Sequence, residues 1–145
     1  ERLMGDARDR FEIIAVLDRY AECLDRRDWP GLAGVFTDDV VMDFGEWAQT
    51  GRETVVATIR SYLDGCGPSQ HLLGNYRIEL EGDEARSRCY CRVMHFGKGA
   101  HAGKTYESWI EYEDELVRTA EGWRSRRRRG RTQMEQGDRS LLGPG

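Results

Sequence analysis

Three histidines, His71, His95 and His101, are the side chains of this 145-residue chain best suited to proton transfer. Imidazole titrates near neutrality, so one ring can take a proton and return it within a reaction cycle. His71 opens the stretch Gln70–Leu80, which reads as a strand. Its β-branched and aromatic residues come late, Pro68 and Ser69 precede it, and Glu81-Gly82-Asp83-Glu84 makes a turn after it. Alternation along a strand predicts that His71 shares a face with Leu73, Asn75 and Arg77. A ring in that place suits a pocket wall, and it equally suits a structural histidine bonded to backbone.

His95 lies on a second expected strand, from Glu84 to Phe96. There Ala85, Ser87, Cys89, Cys91, Val93 and His95 form one face, and Arg86, Arg88, Tyr90, Arg92 and Met94 the other. The small and apolar set faces inward, which carries His95 inward with it. His101 sits in the glycine-rich loop Gly97–Gly103 and is expected to be solvated. Asp25 closes the first helix. If the sheet curls around the helices, Asp25, His71 and His95 converge at its open end. A carboxylate bonded to one imidazole nitrogen fixes the tautomer and supports charge on the ring, leaving the other nitrogen to act as base and then as acid. Elimination of water beside a carbonyl needs those two acts.

The elements that must position these groups follow from periodicity. Phe11, Ile14, Leu17, Ala21 and Leu24, with Ile13, Val16 and Tyr20 alongside, predict a helix from about Asp6, its N-cap, to Arg26. Trp29–Phe36 reads as a short second helix with Pro30 in its first turn. Thr37-Asp38-Asp39 reads as a turn and Val40–Phe44 as a strand. Thr50-Gly51-Arg52-Glu53 has capping-box form and opens a third helix, Arg52 to Asp64, with Val55, Val56, Ile59, Tyr62 and Leu63 on its core face. After the histidine strands come Lys104–Arg118, with Tyr106, Ser108, Ile110, Tyr112, Asp114 and Leu116 on one face, and Trp123 to about Met134. Three helices followed by long antiparallel strands predict one α+β domain over residues 1–145. Its end, from about 135, is expected to be loosely held and placed where it can cover a pocket.

Composition excludes several classes. Hydrophobic content of 39%, charged content of 33% and a net charge of −4 describe a polar surface with no general attraction to nucleic acid or anionic membranes. Arg124 and Arg126–Arg129 fall opposite the glutamates of the preceding strand, so cross-strand pairing is the better account of them. No apolar run approaches the roughly 18–20 residues of a membrane span, and no secretory signal is seen. Cys23, Cys66, Cys89 and Cys91 show neither Cys-x-x-Cys nor zinc spacing and read as buried thiols of a reduced, cytoplasmic protein.

Tyr20-Ala21-x-x-Leu24-Asp25-x-x-Asp28-Trp29, then Phe36-Thr37-Asp38-Asp39, then Gln70-His71-x-x-Gly74-Asn75, resembles the SnoaL-like branch of the nuclear transport factor 2-like superfamily, from about Arg10 to Arg131. Within it the chain is similar to scytalone dehydratase and bile acid 7α-dehydratase. The resemblance implies a cone-shaped barrel of curved sheet wrapped around three N-terminal helices, working without metal or organic cofactor. It puts Asp25 and His71 in the place of the catalytic pair, His95 in that of a second active-site histidine, and Tyr20 in that of a pocket tyrosine. Leu24 and Phe44 stand where scytalone dehydratase is expected to have its tyrosines, so neither its carbonyl clamp nor its substrate is implied here. Substrate contacts are expected from Phe44, Asn75, Cys91, Tyr106 and Tyr112. The implied activity is a dehydratase acting on a largely apolar cyclic or polyketide-like small molecule. The alternatives are a cyclase or isomerase using the same pair, a non-catalytic subunit, or a binding module. No nucleic acid or membrane partner is expected. The charged and aromatic outer sheet face suggests a homo-oligomer, with the resemblance favouring a trimer over a dimer.

Overall fold

The computed structural model describes residues 2–143. Two α-helices, α1 (Arg2–Asp25) and α2 (Arg52–Leu63), pack against a six-stranded sheet of β1 (Phe36–Asp43), β2 (Ala48–Thr50), β3 (Cys66–Glu81), β4 (Glu84–Gly97), β5 (Thr105–Thr119) and β6 (Gly122–Gly137). The strand order is β2-β1-β6-β5-β4-β3. All neighbours are antiparallel except β1 and β6, so the sheet is mixed. This is the expected α+β cone, with two α-helices rather than three. The segment after Trp29 is a single 3-10 turn, Pro30–Gly34. No helix of the described residues is long and apolar enough to cross a membrane.

Several local expectations are corrected. α1 is already helical at Arg2, so Asp6 lies inside it. Its buried stripe is Ile13, Leu17, Tyr20 and Leu24, spaced four, three and four residues apart, and Phe11 falls on the opposite side at 74% exposure. Thr37-Asp38-Asp39 belongs to β1, in a register break between Phe36 and Val41 where Arg52 pairs with Asp38 at 2.8 Å. Thr50 ends β2 and does not cap α2, whose N-cap is Gly51 at φ 94°. β3 begins at Cys66 and accommodates Pro68 because it is the edge strand. His101 is half-buried in a 3-10 turn instead of solvated.

Register shifts decide which side chains face inward. β6 skips one residue against β5 between Leu116↔Ser125 and Glu115↔Arg127. One extra residue inverts strand parity. Trp123 and Ser125 therefore point in before the bulge, and Arg128 and Gly130 after it. Late in the described residues, Leu141 is buried, and Gly143 N–H donates to the Tyr62 carbonyl at 2.9 Å.

Candidate active site

The open end of the cone holds a cavity of about 550 Å³ between α1, α2, the β1–β2 turn and the inner faces of β3 to β6. Tyr20, Phe44, His71, His95, Tyr106 and Tyr112 all line it. Asp25 stands behind His71. Its carboxylate accepts from the His71 ring Nδ1 at 2.6 Å and from the His71 backbone N–H at 2.9 and 3.1 Å. The pair forms because α1 delivers Asp25 in its last turn to the edge strand on which His71 faces inward. With Nδ1–H committed to the carboxylate, Nε2 of His71 keeps its lone pair for the cavity.

His95 approaches from β4, its ring 5.8 Å from that of His71 and nearly perpendicular to it. It stacks on Tyr106 at 6.2 Å, and its Nδ1 lies 2.6 Å from the Ser69 hydroxyl. Burial first, then the neighbouring His71 and Arg27, push the His95 pKa down to about 3, so the ring is neutral at physiological pH. Between pH 6.5 and about 3 the unfolded chain therefore binds a proton at His95 that the folded chain does not. Stability is therefore unaffected by His95 above pH 6.5 and falls as pH drops through that window, by up to about 1.4 kcal/mol per pH unit. Urea denaturation from pH 7 to 4 is expected to show a shallower pH slope in His95→Gln than in the wild type, and identical slopes would contradict a buried neutral ring.

Burial also holds the phenols neutral. It pushes Tyr20 up to about 12, against the opposing charge of Arg128, and drives Tyr112 well above its ordinary value. Tyr106 is raised by burial and by Glu135, to which its hydroxyl donates at 3.2 Å. These phenols serve as hydrogen-bond donors and not as bases at neutral pH.

Two expected contacts do not reach the cavity. Asn75 is exposed at a β-bulge between Gly74 and Arg77, with φ 55°. The bulge breaks the face shared with His71, and asparagine suits that position through its tolerance of left-handed backbone. Cys91 lies in the core at 1% exposure, and burial pushes its thiol up to about 11. It packs among side chains and is not part of the cavity wall.

Other wall residues escaped sequence reasoning. Trp47 stacks between Phe44 and Tyr62, with ring separations of 5.2 and 6.4 Å. Gly130 admits Phe44, whose ring would lie 2.3 Å from any Cβ there. Glu46 of the β1–β2 turn pairs with Arg139 across the cavity rim, and Leu142 lines the wall beside them. Beneath Tyr20 and Tyr112, Arg128 is fully buried between their rings, 4.2 Å from each centroid, and paired to Asp114 at 3.0 Å. Burial opposes that charge, but the Asp114 carboxylate outweighs it and holds Arg128 protonated. The available signal was Asp114 itself, a charge on an inward face. Among the described residues, no three His, Cys, Asp or Glu side chains stand together as a metal site.

The model of the SnoaL-like domain matches residues 5–129. The chain belongs to the SnoaL-like family. That family lies within the nuclear transport factor 2-like superfamily, in keeping with the cone-shaped fold. An uncharacterised protein of Mycobacterium tuberculosis, Rv2910c, is 32% identical over 130 residues, spanning 86% of each chain. A candidate aromatic ring hydroxylase from Novosphingobium aromaticivorans superposes with a TM-score of 0.84 at 27% identity, covering 93% of this chain and 96% of its own. A candidate scytalone dehydratase from the same organism gives 0.77 at 21% identity, covering 92% and 87% respectively. The second structural likeness is one of fold alone. The SnoaL-like domain therefore frames the Asp25–His71 pair, and its chemistry must be argued from the side chains.

Proposed function

We propose that this SnoaL-like protein is a lyase that removes water from a largely apolar cyclic or polyketide-like substrate, with Asp25 and His71 as its proton-transfer pair. The observation that carries the reading is the 2.6 Å contact between His71 Nδ1 and Asp25 at a cavity wall. His71 Nε2 takes the proton from carbon beside a carbonyl, and Asp25 balances the imidazolium that results. His95 and the Tyr20 phenol donate to the oxygen on which charge develops. The C–O bond then breaks, the electron pair released from C–H forms the double bond, and the departing hydroxyl takes the proton from His71 and leaves as water. Retaining the proton on one base for both steps suits elimination from a single face of the substrate.

The walls fit such a substrate. Phe44, Trp47, Tyr62 and Tyr106 supply flat apolar surface, and about 550 Å³ is within the usual range for small-molecule sites. The same pair could instead form a carbanion for ring closure or isomerisation, and product composition separates the two. The test is incubation with a panel of β-hydroxy carbonyl, hydroxysteroid and polyketide-like compounds, followed by mass spectrometry. Loss of one water is the expected result. Rearrangement at unchanged composition would replace dehydratase by cyclase or isomerase, and tight binding without change would make the protein a binding module.

A further inference from the structure

The residue that joins the two halves of the site is an arginine. α1 ends at Asp25, and Arg27 follows it with φ 56°. Arg27 N–H donates to the Leu24 carbonyl at 3.1 Å and Asp28 N–H to the Cys23 carbonyl at 2.8 Å. These are the paired bonds of a helix stop whose left-handed position ordinarily holds glycine. An L side chain is strained there, so what the side chain does must compensate.

The Arg27 guanidinium bridges helix and strand. Nη1 donates to the Leu24 carbonyl at 2.7 Å, beside Asp25, and Nη2 donates to the Gly67 carbonyl at 2.7 Å and the Ser69 hydroxyl oxygen at 3.1 Å, just ahead of His71. Arginine has no acceptor, so Ser69 accepts from it. The Ser69 hydroxyl has one proton to give, and the acceptor facing it is His95 Nδ1 at 2.6 Å. The proton of the neutral His95 ring is then on Nε2.

We propose that Arg27 is a positioning residue of this site: through Ser69 it fixes His95 as the Nε2–H tautomer, and through Leu24 and Gly67 it holds Asp25 and His71 in register. The two imidazoles are thereby set as opposite tautomers. His71, bonded to a carboxylate, carries its proton on Nδ1 and offers a lone pair. His95, bonded to a hydroxyl donor, offers N–H. A ligand that satisfies both presents an acidic C–H or O–H to one ring and an acceptor oxygen to the other. The relevance to turnover rests on the proposed lyase reading, whereas the tautomers do not.

Ring-¹⁵N-labelled histidine NMR of the full chain near pH 7 tests this, with only His71, His95 and His101 to assign and His95→Gln to identify its signals. The expected wild-type pattern for His95 is an unprotonated Nδ1 and a protonated Nε2. Ser69→Ala is expected to give a tautomer mixture and Ser69→Thr to restore the single form. Arg27→Gly removes the guanidinium while relieving the backbone strain, so the fold is retained and the mixture should reappear. A proton on Nδ1 of wild-type His95, or a Ser69→Ala spectrum like the wild type, overturns the relay. An unchanged Arg27→Gly spectrum overturns the part of Arg27. If the tautomers hold while His71→Ala leaves turnover of a found substrate intact, the lyase reading fails and the positioning account stands.

Discussion

Asp25→Asn is expected to lower turnover by about 10²–10⁴-fold while leaving the fold intact. The asparagine oxygen can still accept from the His71 backbone N–H, as Asp25 does at 2.9 Å. It has no charge to balance an imidazolium, however, and its amide can donate to Nδ1. That would move the ring proton to Nε2 and remove the lone pair that the proposed reaction needs. The loss should appear in kcat, with circular dichroism and the unfolding midpoint little changed. A decrease of less than about 3-fold would mean that Asp25 only packs against the ring, since even one modest general-base contribution exceeds that.

Asp114→Ala is expected to destabilise the fold by about 3–5 kcal/mol, because it strands a buried cation. The Arg128 and Asp114 side chains are both 0% exposed, Arg128 donates to Asp114 through Nε alone, and its Nη1 and Nη2 have no hydrogen-bond partner among the described residues. The guanidinium is held between the faces of Tyr20 and Tyr112, so losing its counter-ion also disturbs two walls of the cavity. Replacing both partners, as in Asp114→Leu with Arg128→Met, should recover most of the loss, since an apolar pair has no charge to desolvate. Urea denaturation of the single and double variants measures it. A single variant within about 1 kcal/mol of the wild type would show that water or the two phenols already satisfy Arg128.

Much of this arrangement was legible in the residues. The clean alternation of β4 set His95 inward, and the apolar stripe of α1 brought Tyr20 and Leu24 to the core with Asp25 at the helix end. Local irregularity hid the rest. Strict alternation makes Asn75 a neighbour of His71, and the bulge between Gly74 and Arg77 that separates them leaves no mark in the sequence pattern. The sequence places Arg128 in a row of arginines paired with the glutamates of β5, because the skipped residue after Ser125, which turns it inward, cannot be seen in composition. Arg126 of the same row does pair with Glu115 of the preceding strand as expected, and it also reaches Glu84 of β4. The three residues of β2 carry no periodicity, so the turn that presents Glu46 and Trp47 to the cavity was also missed. Arg27 was invisible for a different reason: its role depends on contacts with residues 67 and 69, about forty positions away.

The central claim is that His71, backed by Asp25, moves a proton to and from substrate carbon. The most direct measurement follows the compound panel in deuterated water by mass spectrometry, with wild type and His71→Ala side by side. The account predicts water loss, or deuterium uptake beside the carbonyl, in the wild type, and a fall of at least about 10²-fold in the variant. Turnover that survives in His71→Ala would contradict it.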